Sequence, residues 1–376
     1  MDFSLFDLLV VTGISQGLFT GFLLLVAKHD RQRNKLLAII LFAFILLSWK
    51  ILLHTLGLWD THAFRYFPLT VDLTIQPLIY LFIRSAVNKD YRLKFKSLLH
   101  FLPFLIFLAH AIIVYVNVQS TTIIAEKDML AETLRFNYVK SLEDFLSVLS
   151  AWIYGSLSYI SIKNYRKWLN DNIGDMTYPT YSWLRNVLIL FGLLVSILSI
   201  NLLLDTFGFG AYNFYHWQLF YLFIAVTIYY MGVQGYRERS LPTYRIQNET
   251  GNETNISYDR ESIELAKQKI LDSLRIDKVY RDPEISLSGL SEKIGLPINI
   301  VSHVINSTIG KNFRNLVNDF RIEEVKEKMS NPKYRYLSIL GIALECGFSS
   351  ESSFYRVFKK ATGKSPKEFM ENMQNL

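Results

Sequence analysis

The chain has 376 residues, of which 51% are hydrophobic and 15% aromatic, and this is too apolar for an even spread over one soluble fold. The long apolar runs are confined to residues 1–236, whereas residues 257–376 have the composition of a soluble helical protein. The formal net charge is a modest +7, and the single cysteine, Cys346, excludes an intramolecular disulfide framework. We expect no cleavable signal peptide, because the first apolar run lacks a preceding basic segment and is long enough to span a membrane.

The apolar half contains seven segments close to the length of about 20 residues that crosses the hydrocarbon core of a bilayer. They predict a transmembrane domain over residues 1–236. The third segment is the weakest, because Asp72, Gln76 and Pro77 interrupt it, and its alternative is a re-entrant or interfacial helix. The segments are Leu5–Ala27, Leu36–Leu58, Tyr66–Ile83, Leu98–Val118, Phe145–Ile162, Trp183–Leu204 and Tyr212–Val233.

Clusters of Lys and Arg in the short loops indicate the orientation of these segments. Basic loops follow the first, third, fifth and seventh segments, at residues 28–35, 84–96, 163–167 and 237–239. The loops between them contain few cations or balance them with acids. All the basic loops therefore lie on the side of the C-terminus. We expect a multi-pass protein of the cytoplasmic (inner) membrane, with its N-terminus outside and residues 234–376 in the cytoplasm.

Polar residues inside the apolar segments are candidates for contacts with an unknown signal ligand, because burying them in a membrane is costly. Asp72 and Gln76 are four residues apart and would share one face of a helix. The alternative is structural: hydrogen bonds between helices or, for Asp205, the end of a span. The polar residues of this group are Gln16, Asp72, Gln76, Asn201 and Asp205.

A polar segment at residues 237–257, which contains Pro242 and Gly251, predicts a flexible linker. From Asp259 the hydrophobic periodicity is that of a helix. The apolar stripe of this helix could pair with a second copy in a homodimer or pack on its own domain. The stripe consists of Ile263, Ala266, Ile270, Leu271 and Leu274.

Two similar helix-turn-helix units follow, at about residues 286–310 and 337–364, joined by an amphipathic helix over about 315–330. In the first unit a short helix ends at Ile294, Gly295 makes the turn, and a second helix covers Ile298–Ser307. In the second unit Gly347 makes the turn and Ser350–Thr362 is the second helix. Two such units in tandem predict helices that lie in the major groove of DNA.

The charge of this region agrees with a nucleic-acid partner. Between Lys311 and Lys367 there are twelve basic and six acidic residues, a surplus that attracts phosphates without regard to sequence. In the second unit Phe354, Val357 and Phe358 are expected to face the core. Phe348 belongs with them, and Cys346 is expected to be a small core residue.

The second unit carries the motif Ile342-Ala343, Cys346-Gly347-Phe348, Ser352-x-Phe354, Phe358-Lys359-Lys360 and Gly363-x-Ser365-Pro366, and the first unit closes with Gly310-Lys311-Asn312-Phe313. On these residues, about a third of the chain resembles the AraC/XylS-type DNA-binding domain. The membrane half is more loosely similar to the multi-span sensor halves of Bacteroidetes-type regulators, for which no ligand is known. That similarity rests on Pro77–Tyr80, His100–Pro103 and Trp183–Asn186.

The resemblance implies two recognition helices in successive turns of the major groove, about 34 Å apart. It implies base contacts from Asn299, Ser302 and His303 in the first unit and from Glu351, Ser352, Tyr355 and Arg356 in the second. It also implies phosphate contacts from Lys311, Arg321, Lys359, Lys360 and Lys364. The first unit departs from the pattern because it lacks the usual cationic and aromatic residues, so that its base readout is expected to be weaker or to depend on DNA shape.

The sequence therefore predicts an all-α protein, with a seven-helix transmembrane bundle followed by a cytoplasmic tandem helix-turn-helix domain over residues 258–376. Its predicted function is that of a membrane-integral, one-component transcription regulator, with double-stranded DNA and the lipid bilayer as partners. RNA polymerase and a second copy of the chain stay open as further partners. No catalytic constellation, cofactor or metal site is expected.

Two alternatives remain open from the sequence. The chain could be a membrane receptor or transporter whose cytoplasmic helix-turn-helix domain docks a protein instead of DNA. The spans could also be a passive anchor that senses nothing.

Overall fold

The computed structural model describes residues 4–28, 30–174, 179–208, 215–238 and 259–374. Within these ranges every extended regular element is a helix, which confirms the all-α class. The chain divides into two compact units. The first comprises residues 1–163 and 179–248, and the second comprises residues 164–178 and 249–376.

Residues 5–238 contain the helices of the membrane half, and the sixth of them contributes residues to both units. The helices are α1 (Leu5–Val26), α2 (Arg31–Thr55), α3 (Ile75–Val87), α4 (Leu102–Val118), α5 (Ile124–Thr133), α6 (Phe136–Asn172), α7 (Pro179–Thr206) and α8 (Tyr215–Glu238). A 3-10 segment, Phe95–Phe101, leads directly into α4.

Six helices of the described residues are long and apolar enough to cross a membrane, instead of the seven that the sequence predicted. They are α1, α2, the continuous helix at residues 95–118, α6, α7 and α8. The third predicted span, Tyr66–Ile83, is not one helix. It contains a 3-10 turn at Asp72–Thr74 and then α3, whose 13 residues measure about 20 Å, short of the ~30 Å of a hydrocarbon core.

The segment that contains α3 runs back along α2. After α2 the chain folds back, so that the carboxylate of Asp72 lies 3.4 Å from Nζ of Lys50, more than a turn before α2 ends. At the other end, Nε2 of Gln32 donates to the carbonyl of Tyr91 at 2.9 Å and to Oγ of Ser85 at 3.4 Å. This segment therefore starts beside Lys50, near the end of α2, and ends beside Gln32, at the beginning of α2.

Small residues allow α1 to approach α8 and α2 closely. Gly13, Gly17 and Gly21 follow one another at intervals of four on α1. A Cβ atom at Gly13 would lie 2.8 Å from Cβ of Ala225 on α8, and one at Gly17 would lie 2.6 Å from Cγ2 of Ile228. This is the close packing through small residues that is common between transmembrane helices.

The second unit contains α9 (Arg260–Arg275), α10 (Leu287–Ile294), α11 (Ile298–His303), α12 (Phe313–Ser330), α13 (Ile339–Glu345), α14 (Glu351–Thr362) and α15 (Pro366–Gln374). The boundaries agree with the predicted helices to within about four residues. Serine and asparagine side chains cap the starts of α10, α12, α13 and α14, as N-cap residues do. The predicted linker, apart from residues 237–238, lies outside the described residues.

Helix α12 joins two separate hydrophobic cores. Its first half, with Phe313 and Leu316, packs into a core shared with α9, α10 and α11. Its second half, with Val325 and Met329, packs into a core shared with α13 and α14. One continuous helix thus fixes the two helix pairs relative to each other.

The apolar stripe of α9 packs on its own domain. Ala266, Ile270 and Leu274 are buried in the first core, and Ile263 lies against it. Of the two alternatives that the sequence left open for this stripe, packing within the domain is the one found. The stripe therefore gives no support to a homodimer.

Candidate nucleic-acid interface

Helix α11 presents the face that the sequence predicted for base reading. Its buried side is formed by Val301, with Val304 and Ile305 in the π-helical turn that follows. Asn299 and His303 are exposed, and Ser302 is half-buried. The left-handed conformation of Gly295, at φ 66°, lets the chain turn from α10 towards α11. The exposed part of this face is short and carries no Lys or Arg.

Helix α14 has a sharper division between its two faces. Phe354 and Phe358 are fully buried and Val357 nearly so, whereas Glu351, Ser352, Arg356, Lys359 and Lys360 are exposed. Oγ of Ser350 accepts a hydrogen bond from the backbone N–H of Ser353 at the start of the helix. Tyr355 is half-buried, and its ring meets the ring of Phe354 edge to face at 5.5 Å between centroids. Tyr355 is thus partly a packing residue, and only its outer edge is available for a base contact.

Three of the predicted contacts come together on one groove, which we call the cationic groove. Lys311, Arg356 and Lys360 line it, together with Arg314 and Asp319, in a cavity of about 520 Å³. The groove lies between the beginning of α12 and the exposed face of α14. Nζ of Lys311 is 2.6 Å from a carboxylate oxygen of Asp319, but both side chains are about half exposed, and such a pair is weak in water. Four cations against one carboxylate leave a groove suited to a phosphate backbone.

Arg314 is the groove residue that the sequence reasoning missed. It lies in the first turn of α12, beside the buried Phe313 and after the capping residue Asn312, and this position was the available signal. Its Nε donates to the backbone carbonyl of Ile173 at 3.4 Å. The predicted phosphate contacts Lys359 and Lys364 are exposed but do not line the groove.

Arg321 is not a phosphate contact, and that prediction is wrong. Its side chain is 1% exposed, since it lies on the side of α12 that faces residues 280–282. Its Nε donates to the carbonyl of Tyr280 at 2.7 Å and its Nη2 to the carbonyl of Asp282 at 2.8 Å. The guanidinium group also lies 5.7 Å above the ring of Phe348. Arg321 therefore connects the first core to the turn of the second helix pair.

Gly347 completes this connection. Its φ of 93° is unfavourable for other residues, and a Cβ atom would lie 2.4 Å from the carbonyl oxygen of Tyr280. Glu324, on the same helix as Arg321, accepts hydrogen bonds from Nζ of Lys278 at 3.1 Å and Nε of Arg281 at 3.0 Å. Burial by itself would raise the pKa of Glu324, but these hydrogen bonds outweigh it and lower the pKa to about 2. The short segment at residues 278–282 is thus held on α12 and against the second turn.

The polar residues of the membrane half have different surroundings. Nδ2 of Asn201 donates to the carbonyl of His216 at 3.2 Å. Asp205 accepts from Nε1 of Trp217 at 2.9 Å, close to the end of α7, as expected for the end of a span. Gln16 faces Gly232 of α8. The contacts of Asn201 and Asp205 support the structural alternative for these two residues, whereas neither side-chain amide atom of Gln16 has a hydrogen-bond partner among the described residues.

Asp72 and Gln76 differ from the other polar residues because both line a cavity. The carboxylate of Asp72 lies 3.4 Å from Nζ of Lys50 and 3.3 Å from Nζ of Lys140. Nε2 of Gln76 lies 3.5 Å from the carbonyl oxygen of Ser147. Asp72 thus links α2 to α6, which is a structural role, while its place on the cavity wall leaves a ligand role open.

Comparison with known proteins identifies residues 290–372 of the second compact unit. Residues 290–372, which include α11, α14 and the cationic groove, match the family described as a helix-turn-helix domain. This part of the chain is a helix-turn-helix domain of the AraC/XylS type. The matched residues contain the last five residues of α10 and the whole of α11, α12, α13 and α14.

The relatives are similar to this domain and not to the whole chain. An uncharacterized HTH-type transcriptional regulator of Staphylococcus aureus is 33% identical over 110 residues, which cover 28% of this chain and 14% of that protein. The HTH-type transcriptional activator RhaS of Mannheimia succiniciproducens is 32% identical over 87 residues, which cover 23% of this chain and 31% of that protein. The chain therefore spans a small part of the length of the relatives it matches. No solved structure matches the chain.

Proposed function

We propose that this protein is a membrane-integral, one-component transcription regulator that binds specific DNA sequences through its helix-turn-helix domain. The observation that carries the proposal is the presence, on one chain, of six helices able to cross a membrane and of a domain whose relatives are named transcriptional regulators. The cationic groove beside α14 supports DNA, and not protein, as the partner of this domain.

In this proposal α11 and α14 are the two recognition helices. Arg356 reads a guanine through O6 and N7, a pairing worth about 1–3 kcal/mol of discrimination between bases. Glu351, Ser352 and the outer edge of Tyr355 read neighbouring bases. The first helix-turn-helix unit makes weaker base contacts, through Asn299, Ser302 and His303.

The phosphate backbone of the DNA lies along the cationic groove. Lys311, Arg314 and Lys360 hold phosphates there, and the exposed Lys359 and Lys364 hold phosphates outside it. Arg321 takes no part in DNA contacts. It acts from inside the domain, where it fixes the two helix-turn-helix units relative to each other.

The proposed topology places the N-terminus outside and the helix-turn-helix domain in the cytoplasm. The contacts of Gln32 with Ser85 and Tyr91 support it, because they bring the basic loops at residues 28–35 and 84–96 to the same end of α2. The charge distribution asks for the same arrangement. Six full-length spans alone would leave both termini on the same side, so this topology requires the segment that contains the turn at Asp72–Thr74 and α3 to be a seventh crossing, although α3 itself is only about 20 Å long.

A signal in the membrane half is proposed to reach the DNA-binding domain through α6. This helix has 37 residues, or about 55 Å, well beyond the thickness of a hydrocarbon core. Its residues up to 163 belong to the first unit and those from 164 to the second. At the end of the helix, Ile173 forms an antiparallel bridge with Ser286, and the N–H of Gly174 donates to the carbonyl of Ile285 at 3.0 Å. A displacement of α6 would act directly on the residues that precede α10.

The anchoring of Gly174 provides a test of this route. A Cβ atom at Gly174 would lie 2.9 Å from Cγ2 of Ile285, so Gly174→Val is expected to detach the segment. The regulated response of a target promoter should become constant, while the protein still inserts and binds DNA. Gly192→Ala on α7 is the matched control, because open space surrounds that glycine. A normal response in Gly174→Val would exclude this contact as the route, and would favour a passive anchor if other α6 variants behaved alike.

The decisive test of DNA binding is genome-wide occupancy of the full-length protein compared with an Arg356→Ala, His303→Ala double variant. Discrete peaks should vanish in the double variant and persist in Lys269→Ala, which removes an exposed cation on α9 away from the groove. Membrane insertion is checked in all three proteins. Peaks that survive in the double variant would overturn the assignment of Arg356 and His303 as base contacts. The absence of peaks for the inserted wild-type protein would favour the alternative in which the domain docks a protein.

A further inference from the structure

A partly open cavity of about 260 Å³ lies inside the first compact unit, lined by residues of α2, α3, α6, α7 and α8 and of the turn before α3. Its volume is larger than that of the engineered cavity of about 150 Å³ that binds benzene in a protein core. Its inner part is apolar, with Phe44, Ala151, Phe191 and Ile224 on the wall. A molecule with an apolar part of roughly ten non-hydrogen atoms would fit a space of this size.

The other end of the cavity is polar and charged. Lys50, Asp72, Lys140, Asp144 and Asp205 line it, all within the last turns of α2 and α7, the first turns of α6 or the turn before α3. In the proposed topology these are the outer ends of the helices. A ligand would therefore enter from the outer side and place its apolar part towards the middle of the membrane.

The charges at this end leave an excess of carboxylate. The wall contains three aspartates against two lysines and His54. Asp205 already accepts from Nε1 of Trp217 at 2.9 Å and lies 2.8 Å from Nε2 of His216, so that Asp72 and Asp144 are the carboxylates nearest to a ligand's charge. Nζ of Lys140 already lies 3.3 Å from Asp72, 2.8 Å from Asp144 and 2.8 Å from the buried Glu143. Since both lysines are engaged with carboxylates, the end of the cavity is suited to an added positive charge and not to an added negative one.

Two buried polar groups on the wall need a hydrogen-bond partner. Gln76 is 6% exposed and Ser147 is 2% exposed. Oε1 of Gln76 and Oγ of Ser147 have no hydrogen-bond partner in the described part of the chain. A buried acceptor without a donor is unfavourable, so a ligand that supplies a donor here gains affinity. This observation is independent of the charge balance and asks for the same kind of ligand.

Aromatic rings complete the wall. Phe44, Phe191, Trp217, Phe220 and Tyr221 all line the cavity. The faces of such rings attract organic cations, and they pack well against a flat or aliphatic hydrocarbon group.

From these features we infer that the cavity is a binding site for a small apolar amine, a molecule with one protonated amino group and an aryl or alkyl tail. The ammonium group lies among Asp72, Asp144 and Gln76 and donates to Oε1 of Gln76, and the tail occupies the apolar part. The inference rests on the proposed function in one respect, because it makes this amine the signal that the membrane half senses.

Binding is measured on the full-length protein in lipid nanodiscs, by equilibrium dialysis and by the shift of the thermal unfolding midpoint. The probes are 2-phenylethylamine and n-octylamine, with 2-phenylethanol as the neutral and 3-phenylpropanoate as the anionic counterpart of the aryl amine. We expect the Kd of 2-phenylethylamine to be at least about tenfold lower than that of 2-phenylethanol, the effect of one charge-assisted hydrogen bond. No binding of 3-phenylpropanoate is expected.

The variants test the site itself. Gln76→Leu removes the buried acceptor and should raise the Kd of the amine about tenfold or more. Gln16→Leu is its matched control, because Oε1 of Gln16 also lacks a hydrogen-bond partner among the described residues, but Gln16 does not line the cavity. If Gln76→Leu does not fold, Asp144→Asn, at a side chain that is 28% exposed, should weaken amine binding in the same direction.

Several outcomes would overturn the inference. The inference fails if neither amine binds a wild-type protein that unfolds cooperatively. It also fails if 2-phenylethanol binds as tightly as 2-phenylethylamine. Unchanged affinity in Gln76→Leu or Asp144→Asn would also remove the site. DNA binding is measured on the same nanodisc sample: DNA binding without amine binding refutes the ligand alone, whereas amine binding without DNA binding refutes the proposed function alone.

Discussion

Replacing Arg321 by methionine should destabilise the helix-turn-helix domain and not merely weaken its DNA binding. The change leaves the carbonyls of Tyr280 and Asp282 without the donors that now lie 2.7 and 2.8 Å away. Hydrogen bonds from a charged donor contribute about 1.5–3 kcal/mol each, and methionine nearly preserves the volume, so we expect a loss of roughly 3–5 kcal/mol. This is a large part of the ~5–15 kcal/mol that stabilises a typical domain.

The assay is urea unfolding of the fragment 257–376, together with the salt dependence of its DNA affinity. Lys359→Met is the control, because that side chain is exposed on α14. It should leave the unfolding midpoint unchanged. The plot of log affinity against log salt concentration should become less steep by about 1, the effect of losing one phosphate contact. The reasoning would be refuted if Arg321→Met were as stable as the wild-type fragment and lost DNA affinity as Lys359→Met does, since Arg321 would then be a phosphate contact after all.

Three further predictions concern the same domain. Gly347→Ala should lower the urea midpoint much more than Gly363→Ala. Both glycines have positive φ, but only at Gly347 would the Cβ meet a backbone atom, the carbonyl oxygen of Tyr280 at 2.4 Å. Equal losses of stability would exclude the steric cause. Because the pKa of Glu324 is about 2 in the folded state and 4.5 as its ordinary value, its carboxylate stabilises the fold above pH ~4.5 and this contribution is lost as the pH falls towards 2. The stability difference between wild type and Glu324→Gln should therefore shrink over that window in urea titrations, and a difference independent of pH would contradict the assignment. Burial raises the pKa of Cys346 to about 12, so N-ethylmaleimide at pH 8 should modify the native thiol about 100-fold or more slowly than the unfolded one, and comparable rates would show an open second core.

Local patterns were sufficient for helices α9 to α14 of the DNA-binding domain, whereas α15 was not predicted. The spacing of Phe354, Val357 and Phe358 gave the buried face of α14, and its exposed face followed by exclusion. Glycines at the turns and serines before the helices marked the boundaries, because these residues satisfy requirements set within a few residues of chain. The stripe of α9 was also visible, but whether it packed on a second copy or on its own domain was not.

Long-range contacts explain where the sequence reasoning was wrong or incomplete. An arginine on an amphipathic helix of a basic domain is most simply read as a phosphate contact. Arg321 is buried instead because residues 280–282, about forty positions earlier, bring their carbonyl groups to α12. Arg314 was missed for a similar reason, since its place on the cationic groove depends on how α14 lies against α12.

In the apolar half, the sequence by itself determined the apolar segments and the position of the basic loops after every second segment, because hydropathy and charge can be read for each segment separately. Only the tertiary structure decided that the third segment becomes the short α3, since this depends on the pairing of Asp72 with Lys50 and Lys140 from two other helices. The same holds for the cavity, which brings together residues from five helices. Its shape and its unpartnered acceptors arise from packing between segments that are distant in the chain, and no local pattern records such packing.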